Sequence, residues 1–339
     1  MSRRSSNERT RVTLREVAAH ARVSVATASY VLSGTDHGGA RYSDETAERV
    51  RQSAAELQYL PNRMARSVRT GRTGVIQLVL HMLTDPWTSS LAEAFTERST
   101  EHGLTTLIAL DSDFAAALAR SEFDAAFVAA VGVSETAQWR EALGPLARKV
   151  TVYSPEIEPD GIDVIRFDER RAARMAVEHL LERHRDVASL TAAPSDAEPQ
   201  GGVRRQTYVE TMKAAGLDIP AGYLAEYEKD DFDPYRAARL LLDRADPPSA
   251  VFAEADFAAF AAAQTARGLG LRVPEDVEVI GIGDSLLADR AEISSIGAVD
   301  MRVQIIDFVL ARALEPATPT NRVLDLVPTL FARRSTGAG

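Results

Sequence analysis

The sequence predicts an α/β fold, with a small all-helical unit at the N-terminus followed by a large body of two lobes built on parallel sheets. Residues 13–59 carry three short stretches with apolar residues at helical spacing, and from Gly74 onward short β-rich runs alternate with amphipathic stretches. Charge divides the chain at the same place. Residues 1–75 hold 13 Arg/Lys and 7 Asp/Glu, net +6, and the remainder is net −16.

In the first stretch Thr13 is placed to cap a helix, and Glu16, three residues on, reaches back to the cap nitrogen. Leu14, Val17, Ala18 and Ala21 then share one face. Val23 and Ser24 break and restart the chain. Ser24 caps a second helix in which Ala26, Ala28 and Ser29 allow close backbone approach, while Val25, Thr27 and Tyr30 are available to a partner. Two short helices about a tight turn are the pattern of a helix-turn-helix DNA reader; on spacing alone, an ordinary helical hairpin fits as well. Residues 43–59 read as a third helix, capped by Ser43, with Ala47, Val50, Ala54 and Leu57 packing on the first two. In residues 60–72, Pro61 suits a first helical position, and Arg63, Arg66, Arg69 and Arg72 give the density of cations that phosphate contact needs.

The β-rich runs of the body are 75–80, 104–110, 123–131, 149–153, 187–191, 250–253 and 277–282. Their alternation with helices implies right-handed crossovers in two series, one ending near Asp168 and one near Arg290, hence two lobes. Ligands of such folds bind at the carboxyl ends of strands, so the cleft between the lobes is the expected site. No apolar run is long enough to span a membrane, and MSRRSSNERTRV lacks the apolar core of a secretion signal, so a cytoplasmic protein with no membrane partner is expected. The chain has no cysteine, and its 6 histidines show no ligand spacing such as H-E-x-x-H; no disulfide, metal or cofactor is expected. There is no Walker-type glycine loop and no G-x-S-x-G elbow, so no catalytic residue is assigned and an α/β enzyme is the disfavoured alternative.

From Val12 to about Ser335 the chain resembles the LacI/GalR family of bacterial transcriptional regulators, the lactose-repressor-like proteins. The resemblance lies in the order and spacing of TLREVAAHARVSVATASYVLSG, YLPNRMARSVRTGRTG, FDERRAARMAVEHLL, AVFAEADFAAFAAAQTARGLGLRVPEDVEVIGIGD and VPTLFARRST. It implies a helix-turn-helix headpiece on a periplasmic-binding-protein-like body. It also implies a homodimer on a pseudo-palindromic double-stranded DNA operator, most often as a repressor. A small-molecule effector, sugar-like or another polar metabolite, would sit between the lobes and modulate operator affinity. The implied ranges are 1–11 as a disordered tail, 12–59 as headpiece and 60–72 as hinge helix. Residues 73–339 form the effector and dimerisation domain, with one lobe of 73–168 and 297–321 and the other of 169–296 and 322–339. With the chain ending at Gly339, dimers are expected rather than tetramers.

Carried over position by position, the DNA contacts fall on Thr13, Ser24, Val25, Ala26, Thr27, Ser29 and Tyr30, and in the hinge on Asn62, Arg63, Ala65, Arg66, Val68 and Arg69. The effector contacts fall on Trp87, Thr88, Arg204, Asp256, Gly283 and Asp284. Several of these depart from the family. Val68 replaces a leucine wedge, and Tyr30 replaces an arginine that reads guanine, which tyrosine cannot contact in a bidentate way. Thr88 stands where an aromatic platform is common, with Trp87 just before it. Gly283 stands where relatives carry a ligand-binding aspartate, and Glu169 replaces an asparagine before Arg170. These losses leave open a second reading, a DNA-binding regulator with a degenerate cleft and no effector.

Overall fold

The computed structural model describes residues 12–33, 42–59, 71–80, 83, 85–110, 113–129, 143–155, 157–194, 202–227, 233–315 and 318–337. The chain divides into two units, Met1–Thr73 and Gly74–Gly339. Within the first, α1 (Leu14–His20), α2 (Val25–Ser33) and α3 (Asp44–Glu56) form the three expected helices. Thr13 and Glu16 close a reciprocal capping box on α1. The bonds from Thr13 hold the Glu16 carboxyl below its ordinary range. Ala18, Ala21, Ala28, Val31, Ala47 and Val50 make the buried seam. Small residues from all three helices let the backbones approach. His20 Nδ1 lies 3.0 Å from Ser53 Oγ, and Arg49 Nε donates to the Ala21 carbonyl at 3.0 Å, so α3 is tied to α1 by polar contacts as well.

The second unit holds two six-stranded sheets. In the first, β1 (Val75–Leu80), β2 (Thr105–Leu110), β3 (Ala125–Ala129), β4 (Val150–Tyr153), β5 (Asp163–Phe167) and β11 (Val323–Leu326) run parallel in the order β11-β5-β4-β3-β1-β2. The second contains β6 (Val187–Ala192), β7 (Leu224–Tyr227), β8 (Ala250–Ala253), β9 (Glu278–Ile282), β10 (Ser294–Gly297) and β12 (Thr329–Phe331). Its order is β12-β10-β9-β8-β6-β7, parallel throughout except for β12 against β10. Each sheet reverses its winding at the strand flanked by its two successors, β1 in one and β6 in the other. The crevice beside such a strand is where α/β sheets bind ligands.

Helices α4 (Pro86–Glu101), α5 (Phe114–Ala119) and α11 (Met301–Leu314) belong to the first lobe. The second lobe has α6 (Glu169–Leu181), α7 (Val203–Ala214), α8 (Pro234–Leu242), α9 (Asp256–Gly268) and α10 (Leu286–Arg290). In α6 the buried set Ala172, Ala173, Ala176, Val177 and Leu180 follows helical spacing, and Asp168 caps the first turn through the Arg171 amide at 2.8 Å. Among the described residues no helix is long and apolar enough to cross a membrane.

The return to the second lobe falls later than the expected boundary at residue 322. Val323–Leu326 pairs with β5 in the first sheet, and only β12 joins the second. An ion cluster fixes this edge. Asp163, fully buried at the start of β5, accepts from Arg312 of α11 at 2.5 Å and from Arg322 at 2.6 Å, while the Arg322 amide donates to its other oxygen at 3.0 Å. The Arg322 guanidinium also lies over the Phe308 ring, 4.1 Å from its centroid.

Candidate functional site

The headpiece presents one face of α2 to solvent. Ala28 and Val31 point into the seam, whereas Val25 and Tyr30 are 43% and 45% exposed and Ala26 is exposed beside them. Ser29 and Thr27 are half-buried at the margin. Ser24 caps the helix by accepting from the Thr27 amide at 3.0 Å, and its hydroxyl lies 2.8 Å from that of Thr27. Thr13 spends its hydroxyl on Glu16 at 2.8 Å, so its side chain serves the fold of α1 first. The hinge positions Asn62, Arg63, Ala65, Arg66, Val68 and Arg69, and the tail 1–11, lie outside the described residues.

In the body, the carboxyl ends of β1, β3, β4 and β5 face those of β8 and β9 across a cavity of about 170 Å³. Five of the six positions expected to meet an effector line it: Trp87, Thr88, Arg204, Asp256 and Gly283. Asp284 does not. The backbone there takes a left-handed turn, φ +45°, and the carboxylate accepts from Arg333 at 2.6 Å. Arg170 also points elsewhere, pairing with Glu210 on the surface at 3.3 Å. Tyr153, Phe167, Phe257 and Met301, not among the expected contacts, also line the wall, as does Glu169, noted above only as a departure from the family. Tyr153 and Phe167 end β4 and β5, so the rule that ligands lie at strand ends held the signal that finds them.

The wall is largely committed to itself. Thr88 is buried and donates its hydroxyl to Asp85 at 3.1 Å. Trp87 supplies the aromatic surface instead, tilted 49° to Tyr153 with centroids 5.7 Å apart. Arg204 donates to the Glu254 carbonyl at 2.6 Å and to the Glu169 carboxylate at 3.2 Å. Burial opposes its charge, but Glu169, Tyr153 and Glu254 outweigh that and raise its pKa. The Tyr153 hydroxyl is also pushed up, by burial and then by Glu169, with Arg204 acting in the opposite direction. Glu254 in turn accepts from the Ala192 amide at 2.7 Å and the Tyr227 hydroxyl at 2.5 Å.

Asp256 joins three elements. One oxygen accepts from the Ser295 hydroxyl and the other from the Ser285 amide, each at 2.6 Å. Burial raises its pKa, and these bonds pull the other way. Glycine is required around it. A Cβ on Gly281 would lie 2.6 Å from Asp256 Oδ1 and 3.0 Å from its Cα. Gly281→Ala is therefore expected to cost about 1–3 kcal/mol in urea unfolding; an unchanged midpoint would show that α9 shifts freely. A Cβ on Gly283, where φ is +133°, would meet Asp256 Oδ2 at 3.2 Å and Trp87 Cδ1 at 3.8 Å. The positive φ and the close approach to Asp256 favour glycine there, while the indole lies at ordinary contact distance.

Comparison with known proteins agrees with this architecture. Residues 13–62 match the model of bacterial regulatory proteins of the lacI family, and residues 177–336 match that of the periplasmic binding protein-like domain. The HTH-type transcriptional regulator CelR of Thermobifida fusca is 31% identical over 345 residues, covering 94% of this chain and 96% of that one. The HTH-type transcriptional repressor CytR of Escherichia coli K12 is 28% identical over 287 residues, 82% of each. A structure of a CelR–cellobiose complex aligns over 96% of this chain and 100% of that one, with TM-score 0.60 and 26% identity. A lac repressor dimer bound to operator and an anti-inducer aligns over 97% of this chain and 100% of that one, with TM-score 0.71 and 21% identity, a likeness of fold. The helix-turn-helix unit, the two-lobed body and the near full-length similarity lead to one conclusion: the chain belongs to the lacI family of bacterial regulatory proteins.

Proposed function

We propose that the protein binds a pseudo-palindromic operator as a homodimer, through the exposed face of α2, and that a small polar molecule in the cleft sets how tightly it does so. The observation that carries the reading is the division of α2. Ala28 and Val31 are sunk in the seam, while Val25, Ala26 and Tyr30 stand on the opposite face of a basic unit. An α-helix presented in this way fits the major groove. Tyr30 offers a thymine methyl or a phosphate a partner, so the operator differs from those read by arginine-bearing relatives. For the dimer, β2 is an edge strand whose Leu107, Ile108 and Leu110 are exposed, an apolar border that suits a second copy. The cellobiose bound to CelR supports a polar effector in the cleft.

The test begins with duplexes selected from random sequence by the full-length protein. Their affinity should fall about 10³-fold or more between about 50 and 200 mM salt, as expected for many phosphate contacts. A flat response would reject the groove-reading model. Internal commitment of Arg204 and Asp256 favours the second reading, a regulator without effector, and a screen of metabolites against operator binding separates the two.

A further inference from the structure

The proposed function leaves the charge of the effector open, and the cleft walls bear on it. Among the described residues, three helices begin at the cavity: α4 at Pro86, α6 at Glu169 and α9 at Asp256. The unsatisfied amides and dipole of a helix N-terminus ordinarily attract a ligand's phosphate or carboxylate. At α4 and α6 the chain caps the end with its own carboxylate: Asp85 accepts from the Trp87 amide at 3.0 Å and Asp168 from the Arg171 amide at 2.8 Å. Helix α9 has no side-chain cap, and Asp256 in its first turn turns both oxygens to Ser285 and Ser295. Arg204, the one guanidinium on the wall among the described residues, is likewise neutralised by Glu169 at 3.2 Å. Asp85, Glu169 and Asp256 thus set three carboxylates against one cation. An arriving anion would meet repulsion and would have to displace Glu169 to reach Arg204. The remaining wall is ring surface, chiefly Trp87 and Tyr153, which packs on the face of a sugar or base whatever its charge.

Resting on the effector reading, we propose that the cleft takes an uncharged ring-bearing molecule and rejects its phosphate or carboxylate derivatives, with Glu169 enforcing the rejection by occupying Arg204. Thermal unfolding of the full-length protein tests this. The probes are D-ribose, D-glucose, cellobiose, adenosine and cytidine, a phosphate monoester of each, and inorganic phosphate, at constant ionic strength. At least one uncharged member should raise the midpoint, with its phosphate ester weaker by about tenfold or more, a margin matching one charged hydrogen bond forgone. Glu169→Gln, with folding checked by circular dichroism, should release Arg204 and close most of that gap; Arg204→Ala should not. A phosphate ester that stabilises the wild type better than its parent, and loses this in Arg204→Ala, overturns the inference and leaves the effector reading standing. Unchanged discrimination in Glu169→Gln removes the role assigned to Glu169. If no probe shifts the midpoint, the effector reading fails and this inference fails with it.

Discussion

Removal of residues 1–73 is expected to abolish operator binding, lowering affinity by about 10³-fold or more, the usual gap between specific and non-specific association. The chain divides between Thr73 and Gly74, and both sheets and their helices lie wholly beyond that point. The remaining fragment therefore keeps every strand pairing and both lobe cores, and should unfold cooperatively by circular dichroism. It also keeps the acidic balance of the chain, since residues after 75 sum to −16. Phosphate repels such a body, and no counterions are released to offset the repulsion. Fluorescence anisotropy with a selected duplex measures the loss. Binding retained by the fragment would place the reading surface in the body and overturn the assignment of α2.

Asp163→Ala is expected to destabilise the body by about 3–5 kcal/mol, the range found when one partner of a buried ion pair is removed. Asp163 is fully buried, and Arg312 and Arg322 have side chains 8% and 17% exposed, so neither guanidinium has ready access to water. Without the carboxylate, two cations face each other in a dry corner, keeping carbonyl partners such as those of Thr318 and Phe308 and, for Arg322, the Phe308 ring. Urea unfolding at neutral pH measures the loss. A change below about 1 kcal/mol, the value of an exposed pair, would mean that water enters the cluster. Replacing all three residues by apolar ones of similar volume should recover much of the loss, because the cost arises from the unpaired charge.

The first unit was legible because its determinants are local. The capping box of Thr13 and Glu16 spans four residues, and the seam residues recur at helical spacing. Strands made of apolar runs, such as VIQLVL of β1 and EVIGI of β9, were equally visible. Strand β10, SSIG, was not, because its buried serines are satisfied from far along the chain: the Ser294 amide by Ser335, and the Ser295 hydroxyl through Asp256. Strand β7, LAEY, is too short and mixed to stand out. The family resemblance placed Trp87, Arg204, Asp256 and Gly283 on the cavity, yet it could not show that Asp284 turns toward Arg333. Nor could it show that Glu169 neutralises Arg204, since that depends on the packing of α6 beside α7. The lobe boundary was misplaced for a related reason. Four residues, VLDL, are read as one lobe or the other only by the strand they pair with.

The late return of the chain has a mechanical consequence. Polypeptide crosses between the two sheets after Phe167, after Gly297 and again between Leu326 and Thr329, where β11 ends in one sheet and β12 begins in the other. Counted from the last strand residue in one lobe to the next element of the other, each crossing is one to three residues long. Three such links in parallel act as a flexure, stiff in translation and compliant in rotation about the line they share. On the effector reading proposed above, occupation of the cleft would be passed on chiefly as a change of angle between the lobes.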